Sequence, residues 1–167
     1  MSIDVFVADE QQAHPVDVAR WAELARQVLT ARGVKGDTEV SLLFVDEDAI
    51  AALNEQFLGK RGPTDVLSFP IEDEPGVAGR SPDLGGTGPG TSAEHGVLTL
   101  LGDVVVCPSV AARNAAEHGV SVEDELALLV VHGLLHLLGM DHEDDAEAER
   151  MEALEQQLLK RFYRVAR

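Results

Sequence analysis

The chain has 167 residues, 45% of them apolar, enough for one buried core without disulfides or repeats and too many for wholesale disorder. Its 13 basic and 30 acidic residues leave a formal charge of −17. That balance disfavours loose attraction to nucleic acid or anionic lipid unless a local basic patch, a metal or a larger assembly supplies it. Cys107 is the single cysteine, which rules out an intramolecular disulfide and fits a reducing compartment.

Met1-Ser2-Ile3-Asp4 lacks the basic start and apolar run of a signal peptide. The longest apolar stretch, Leu126 to Leu138, is too short to cross a bilayer and reads as a buried helix. A soluble, cytoplasmic protein is expected. Ile3 to Ala8 alternates as a first strand. His14-Pro15 opens a helix with Val18, Trp21, Ala22, Ala25, Val28 and Leu29 on one face, ended by Gly33. Glu39 to Val45 reads as a second strand. Asp46 is placed to cap a helix that buries Ile50, Leu53 and Phe57 and stops at Gly59. The basic turn Lys60-Arg61-Gly62-Pro63 leads into a third strand, Val66 to Phe69.

Residues 75–96 are dense in Gly, Pro, Ser and Thr and read as a flexible insertion between two strands. Val97 to Cys107 completes the sheet, with a break or bulge at Gly102-Asp103. Pro108 starts a short helix ending near Gly119. Ser121 and Asp124 resemble a capping box for the central helix, Val122 to Leu138, which is apolar on nearly every side and must be covered all round. Gly139 ends it. Ala146 to Val165 forms a last helix with Met151, Leu154, Leu158 and Phe162 inward. The expected fold is α/β (α+β), one domain over 1–167. It has a small, mostly parallel mixed sheet of about four strands, five helices, and a metal site on the central helix.

The informative stretch is HGLLHLLGMDH, His132 to His142. Histidines four apart on a helix share a face and can reach one ion together. Gly139 lets the chain turn three residues after His136, and His142 can swing back as a third ligand. Three imidazoles leave the fourth tetrahedral position of a zinc ion open, as in catalytic sites, and the ion lowers the pKa of a bound water to about 7. Nickel, copper and iron(II) accept the same donors. A lone core histidine is usually a hydrogen-bonded packing residue, but two within one apolar run each need a partner. His14, His95 and His118 stand in polar contexts without this spacing and read as surface residues.

The spacing is similar to the long metzincin protease motif, except that Gly133 stands where those proteases carry a glutamate. Peptide hydrolysis needs that carboxylate to move a proton to the leaving amine, whereas phosphodiester cleavage can proceed with the metal alone or by internal attack of an RNA 2′-hydroxyl. Downstream, Asp141 to Glu155 holds eight carboxylates against one basic residue, Arg150. That run reads as a solvated helix face, with an acidic docking surface as the alternative.

HGLLHLLGMDH, with LNEQFLGKRGPTDVLSFP (Leu53 to Pro70) and LGDVVVC (Leu101 to Cys107), resembles the YbeY family of bacterial endoribonucleases over most of the chain outside the insertion. The resemblance implies an α/β fold with one Zn2+ ion on His132, His136 and His142 at the base of a cleft. It implies a single-strand-specific endoribonuclease acting in small-subunit (16S) rRNA 3′-end maturation and ribosome quality control. The implied partners are rRNA, the small ribosomal subunit and a ribosomal protein or assembly GTPase, without membrane or DNA. The TDVLSFP segment, with Asp65 and Ser68, would wall the cleft.

Many members carry an arginine implicated in RNA processing directly before the Gly-Lys; here it is Leu58. Two readings stand equally here: Lys60 or Arg61 supplies the missing charge, or both are plain turn residues. Met140 stands where a tyrosine is common. The competing function is a ribosome-assembly factor with a structural metal, which would need a fourth ligand such as Cys107; Cys107 reads instead as a buried strand residue.

Overall fold

The computed structural model describes residues 2–71, 98–141 and 143–163. The expected insertion at 75–96, the third histidine of the motif, His142, and the end of the last expected helix at Val165 lie outside those residues. Four strands, β1 (Ile3–Asp9), β2 (Thr38–Phe44), β3 (Val66–Pro70) and β4 (Thr99–Val106), form one sheet in the order β1-β2-β4-β3. β1, β2 and β4 run parallel and β3 runs antiparallel to β4, so the sheet is mixed and mostly parallel, as expected.

Among the described residues, five α-helices accompany it: α1 (Val18–Ala31), α2 (Glu47–Leu53), α3 (Pro108–His118), α4 (Val122–Leu137) and α5 (Asp145–Phe162). Side-chain alternation along the strands sorts them into layers. Val40, Leu42, Phe44, Val104 and Val106 point to one face and pack with α1, α4 and α5 around Trp21, Leu29, Leu134 and Leu159. Val105 and Leu67 point to the other face and pack with Val45, Ile50, Cys107 and Val110.

Local chemistry sets the helix starts. The Asp46 carboxylate accepts the Ala49 N–H at 2.8 Å, and the Ser121 hydroxyl accepts the Asp124 N–H at 3.0 Å, as the capping residues predict. The first helix begins at Val18 rather than at His14-Pro15. The Gln11 side chain accepts the His14 N–H at 3.0 Å and donates to the His14 carbonyl at 2.8 Å, which holds that stretch as a loop and leaves the cap to Asp17. α2 also departs from expectation at its far end. It widens into a π-helical turn, Asn54–Leu58, that rotates Phe57 outward to 56% exposure, its ring edge-on to Phe69 with centroids 5.2 Å apart.

The strand expected to be broken or bulged at Gly102-Asp103 is continuous and bulged one residue earlier. The bulge is at Leu101, where Glu39 pairs with Leu100 and Val40 with Gly102. A Cβ at Gly102 would lie 2.2 Å from the Phe69 carbonyl oxygen, so a side chain there would push β3 away. α4 is the central helix, covered by β3, β4, α1, α3 and α5. Among the described residues no helix is long and apolar enough to cross a membrane.

Candidate metal centre and its cleft

The cleft is built where α4 leans on β3. Gly133 permits the approach, because a Cβ on it would sit 2.6 Å from Cγ1 of Val104 and 3.2 Å from the Ser68 hydroxyl. The Ser68 hydroxyl donates to the Gly133 carbonyl at 3.0 Å and ties strand to helix. Gly133 therefore faces the sheet, and the position that carries a glutamate in metzincins has no room for one here.

His132 and His136, one turn apart on α4, meet at the cleft with their Nε2 atoms 3.2 Å apart and their rings at 78°. On its other side, the His132 Nδ1 bonds to Glu155 Oε2 from α5. With the Glu155 carboxylate as acceptor, Nδ1 would carry the proton and Nε2 would keep its lone pair on the side of His136. Two ring nitrogens converging on one point, one of them backed by a buried carboxylate, make a donor set that fits a borderline-soft divalent ion such as zinc. Among the described residues no group of three or more His, Cys, Asp or Glu gathers to hold an ion; the expected third ligand, His142, lies outside them.

A cavity of about 440 Å³ opens over the histidine pair, between the π turn, β3 and α4. Leu58, Lys60, Asp65, Ser68, His132 and His136 are among its walls. Of the sequence-predicted cleft residues, the structure thus brings Lys60, Asp65 and Ser68 to the histidines. Arg61 is exposed and lines neither this cavity nor the neighbouring one. Lys60 is presented by a turn anchored on buried Asn54, whose side chain donates to the Gly62 carbonyl at 2.9 Å. The Asp65 carboxylate accepts from Asn114 at 3.1 Å and from Thr64 at 3.4 Å.

A second cavity, about 350 Å³, lies on the far side of His132 and shares Asp65, Val66 and His132 with the first. Its walls carry Glu125, Glu152, Glu155 and His118 over a floor of Leu128, Leu129 and Met151. His118, read from sequence as a surface residue, bonds through Nδ1 to the buried Glu125 at 3.0 Å, and that carboxylate holds its pKa above the ordinary value. Cys107 is fully buried in the smaller apolar cluster and lines neither cavity. Burial pushes its thiol up, against the thiolate a metal ligand needs.

Sequence reasoning missed Glu155 and Asn54. Glu155 is one of eight carboxylates in its run. Its helical register with the inward Met151 and Leu158, at offsets of four and three, was the available signal.

Fold and site together define an α/β protein whose cleft is organised by a histidine pair on a buried helix. The family model described as Endoribonuclease YbeY matches residues 6–163, so the chain belongs to that family. Curated relatives carry the same name. The Thermobifida fusca protein is 44% identical over 160 residues, covering 95% of this chain and 92% of that one. The Acidothermus cellulolyticus protein is 47% identical over 146 residues, covering 86% and 82%. Among solved structures, the solution structure of TM1509 from Thermotoga maritima aligns with a TM-score of 0.54 at 26% identity, covering 94% of this chain and 90% of that one.

Proposed function

We propose that this protein is a zinc-dependent, single-strand-specific endoribonuclease. It acts in the cytoplasm on small-subunit rRNA, in 16S 3′-end maturation and ribosome quality control. The observation that carries this reading is the His132–His136 pair, Nε2 to Nε2 at 3.2 Å, set in a cavity with Lys60 on its wall. His132, His136 and His142 would hold the ion. When bound, it would act as a Lewis acid toward a phosphodiester and lower the pKa of a water.

The chain's own residues do the rest. Lys60 attracts the phosphate backbone into a cleft on an otherwise acidic protein. Ser68 and Gly133 hold α4 against β3, so the histidines keep their place beside the cleft wall. The closed space at Gly133 disfavours proteolysis, which needs a carboxylate there.

Purified protein is expected to cleave a single-stranded RNA but not casein, and to lose that cleavage with a chelator or in His136→Ala. Undiminished RNA cleavage by His136→Ala would overturn the proposal. With a net charge of −17, binding to naked RNA should be weak and fall with salt, leaving specificity to the ribosomal particle and to a ribosomal protein or assembly GTPase. Nanomolar, salt-insensitive binding would contradict that part.

A further inference from the structure

Eight carboxylates lie between Asp141 and Glu155, and most behave as a solvated helix surface. Asp144 caps α5 by accepting the Glu147 N–H at 2.8 Å, and Asp145 and Glu147 sit in the first turn, where the helix dipole favours negative charge. Glu155 is different. It is 5% exposed, lies on the face of α5 that carries Met151, Leu158 and Leu159 inward, and reaches across to Nδ1 of His132, 23 residues away in sequence.

Burying a carboxylate is costly unless a partner compensates it, and the partner here is an imidazole whose other nitrogen points at His136. A carboxylate behind a histidine fixes the ring's tautomer and orientation and makes the opposite nitrogen a stronger donor to a metal. We infer that Glu155 is the positioning residue of the metal centre: it sets His132 as an Nε2 ligand before any ion arrives. This rests on the histidine-site reading given above and adds to it a residue from a different helix. It also assigns α5 a task beyond packing, because docking of α5 on α4 determines the geometry of the ligand pair.

The test measures zinc affinity by competition with a chromophoric chelator, on wild type, Glu155→Leu, Glu155→Gln and Glu152→Gln. Glu152 lines the neighbouring cavity and is exposed, so its variant removes the same charge without touching His132. Glu155→Leu is expected to bind zinc about 10- to 100-fold more weakly, and Glu155→Gln, whose amide oxygen still accepts from Nδ1, about three- to tenfold more weakly. Glu152→Gln should bind within about twofold of wild type.

A purely structural Glu155 would instead lower the thermal midpoint of the metal-free protein. The positioning role predicts that this midpoint is not lowered in Glu155→Gln, and that nitrogen NMR finds the His132 proton on Nδ1 in the metal-free wild type. Glu155→Leu binding zinc as tightly as wild type overturns the inference, as does an equal loss in Glu152→Gln. If the leucine variant does not fold, wild-type affinity in Glu155→Gln overturns it. Wild-type protein that binds no zinc overturns the histidine-site reading itself, and the inference with it.

Discussion

Two histidine–glutamate pairs flank the same cavity, and they divide the labour of one interaction differently. At His118–Glu125 the histidine side chain is 57% exposed and the carboxylate 4% exposed. There the imidazole serves the glutamate, satisfying a buried acid at the start of α4 and linking the end of α3 to it. At His132–Glu155 the exposures are 26% and 6%. There, on the reading proposed above, the glutamate serves the histidine, whose second ring nitrogen faces His136 only 3.2 Å away. Identical side-chain chemistry becomes a structural tie in one place and, on that same proposed reading, part of a ligand set in the other. What decides is the neighbour of the nitrogen that the carboxylate does not hold.

The contrast breaks most severely if α4 is lifted from the sheet at His132 while its N-terminal end stays in place. Gly133→Ala puts a methyl 2.6 Å from Val104, a branched residue buried in the core with little freedom to move. The expected cost is about 1–3 kcal/mol of stability in denaturant titration, with zinc affinity reduced and the His118 titration unchanged. Wild-type stability and affinity together would show that α4 does not depend on this close approach. Removing the tie alone is milder. Ser68→Ala deletes the hydroxyl that donates to the Gly133 carbonyl and should cost about 0.5–1.5 kcal/mol.

The charges around the two pairs also differ, since Lys60 lines the His136 side while Glu125, Glu152 and Glu155 line the His118 side. If RNA enters on the cationic side, Lys60→Ala should lower kcat/KM on a single-stranded RNA about tenfold, mainly through KM, and Arg61→Ala about twofold or less. Equal effects of the two substitutions would mean that only the net charge of the turn matters.

How much of this was legible in the sequence depends on the range of the interaction. The caps at Asp46 and Ser121 bond to backbone three residues on, and the four-residue spacing of His132 and His136 fixes their shared face, so both could be read from the chain. Glu155 could not be singled out, because its role arises only when α5 docks and the other carboxylates of the run look alike in sequence. The choice between Lys60 and Arg61 depended on the turn anchored by Asn54, a side-chain contact spanning eight residues. Phe57 points outward against the 3.6-residue periodicity of its sequence because the segment widens into a π turn. His118 is exposed, as its polar context predicts, but its bond to buried Glu125 leaves no sequence signal because that partner lies beyond a helix boundary, seven residues on.

The smallest expected effect is a pH dependence at that last pair. Hydrogen bonding to Glu125 is the leading cause that raises the His118 pKa above its ordinary 6.5, with Glu117 and Asp65 pushing the same way. A histidine whose folded-state pKa is raised binds its proton more tightly in the native protein. Its charge-dependent stabilisation is therefore fully present below the unfolded value near 6.5 and is lost as pH rises through the folded value. Because the imidazole is more than half exposed, solvent and salt screen the effect and keep it modest. Thermal midpoints of wild type and His118→Gln should differ most in mildly acidic, low-salt buffer and converge toward alkaline pH. Proton NMR should place the His118 titration above 6.5, and a midpoint at or below that value would mean that Glu125 is held by something other than this histidine.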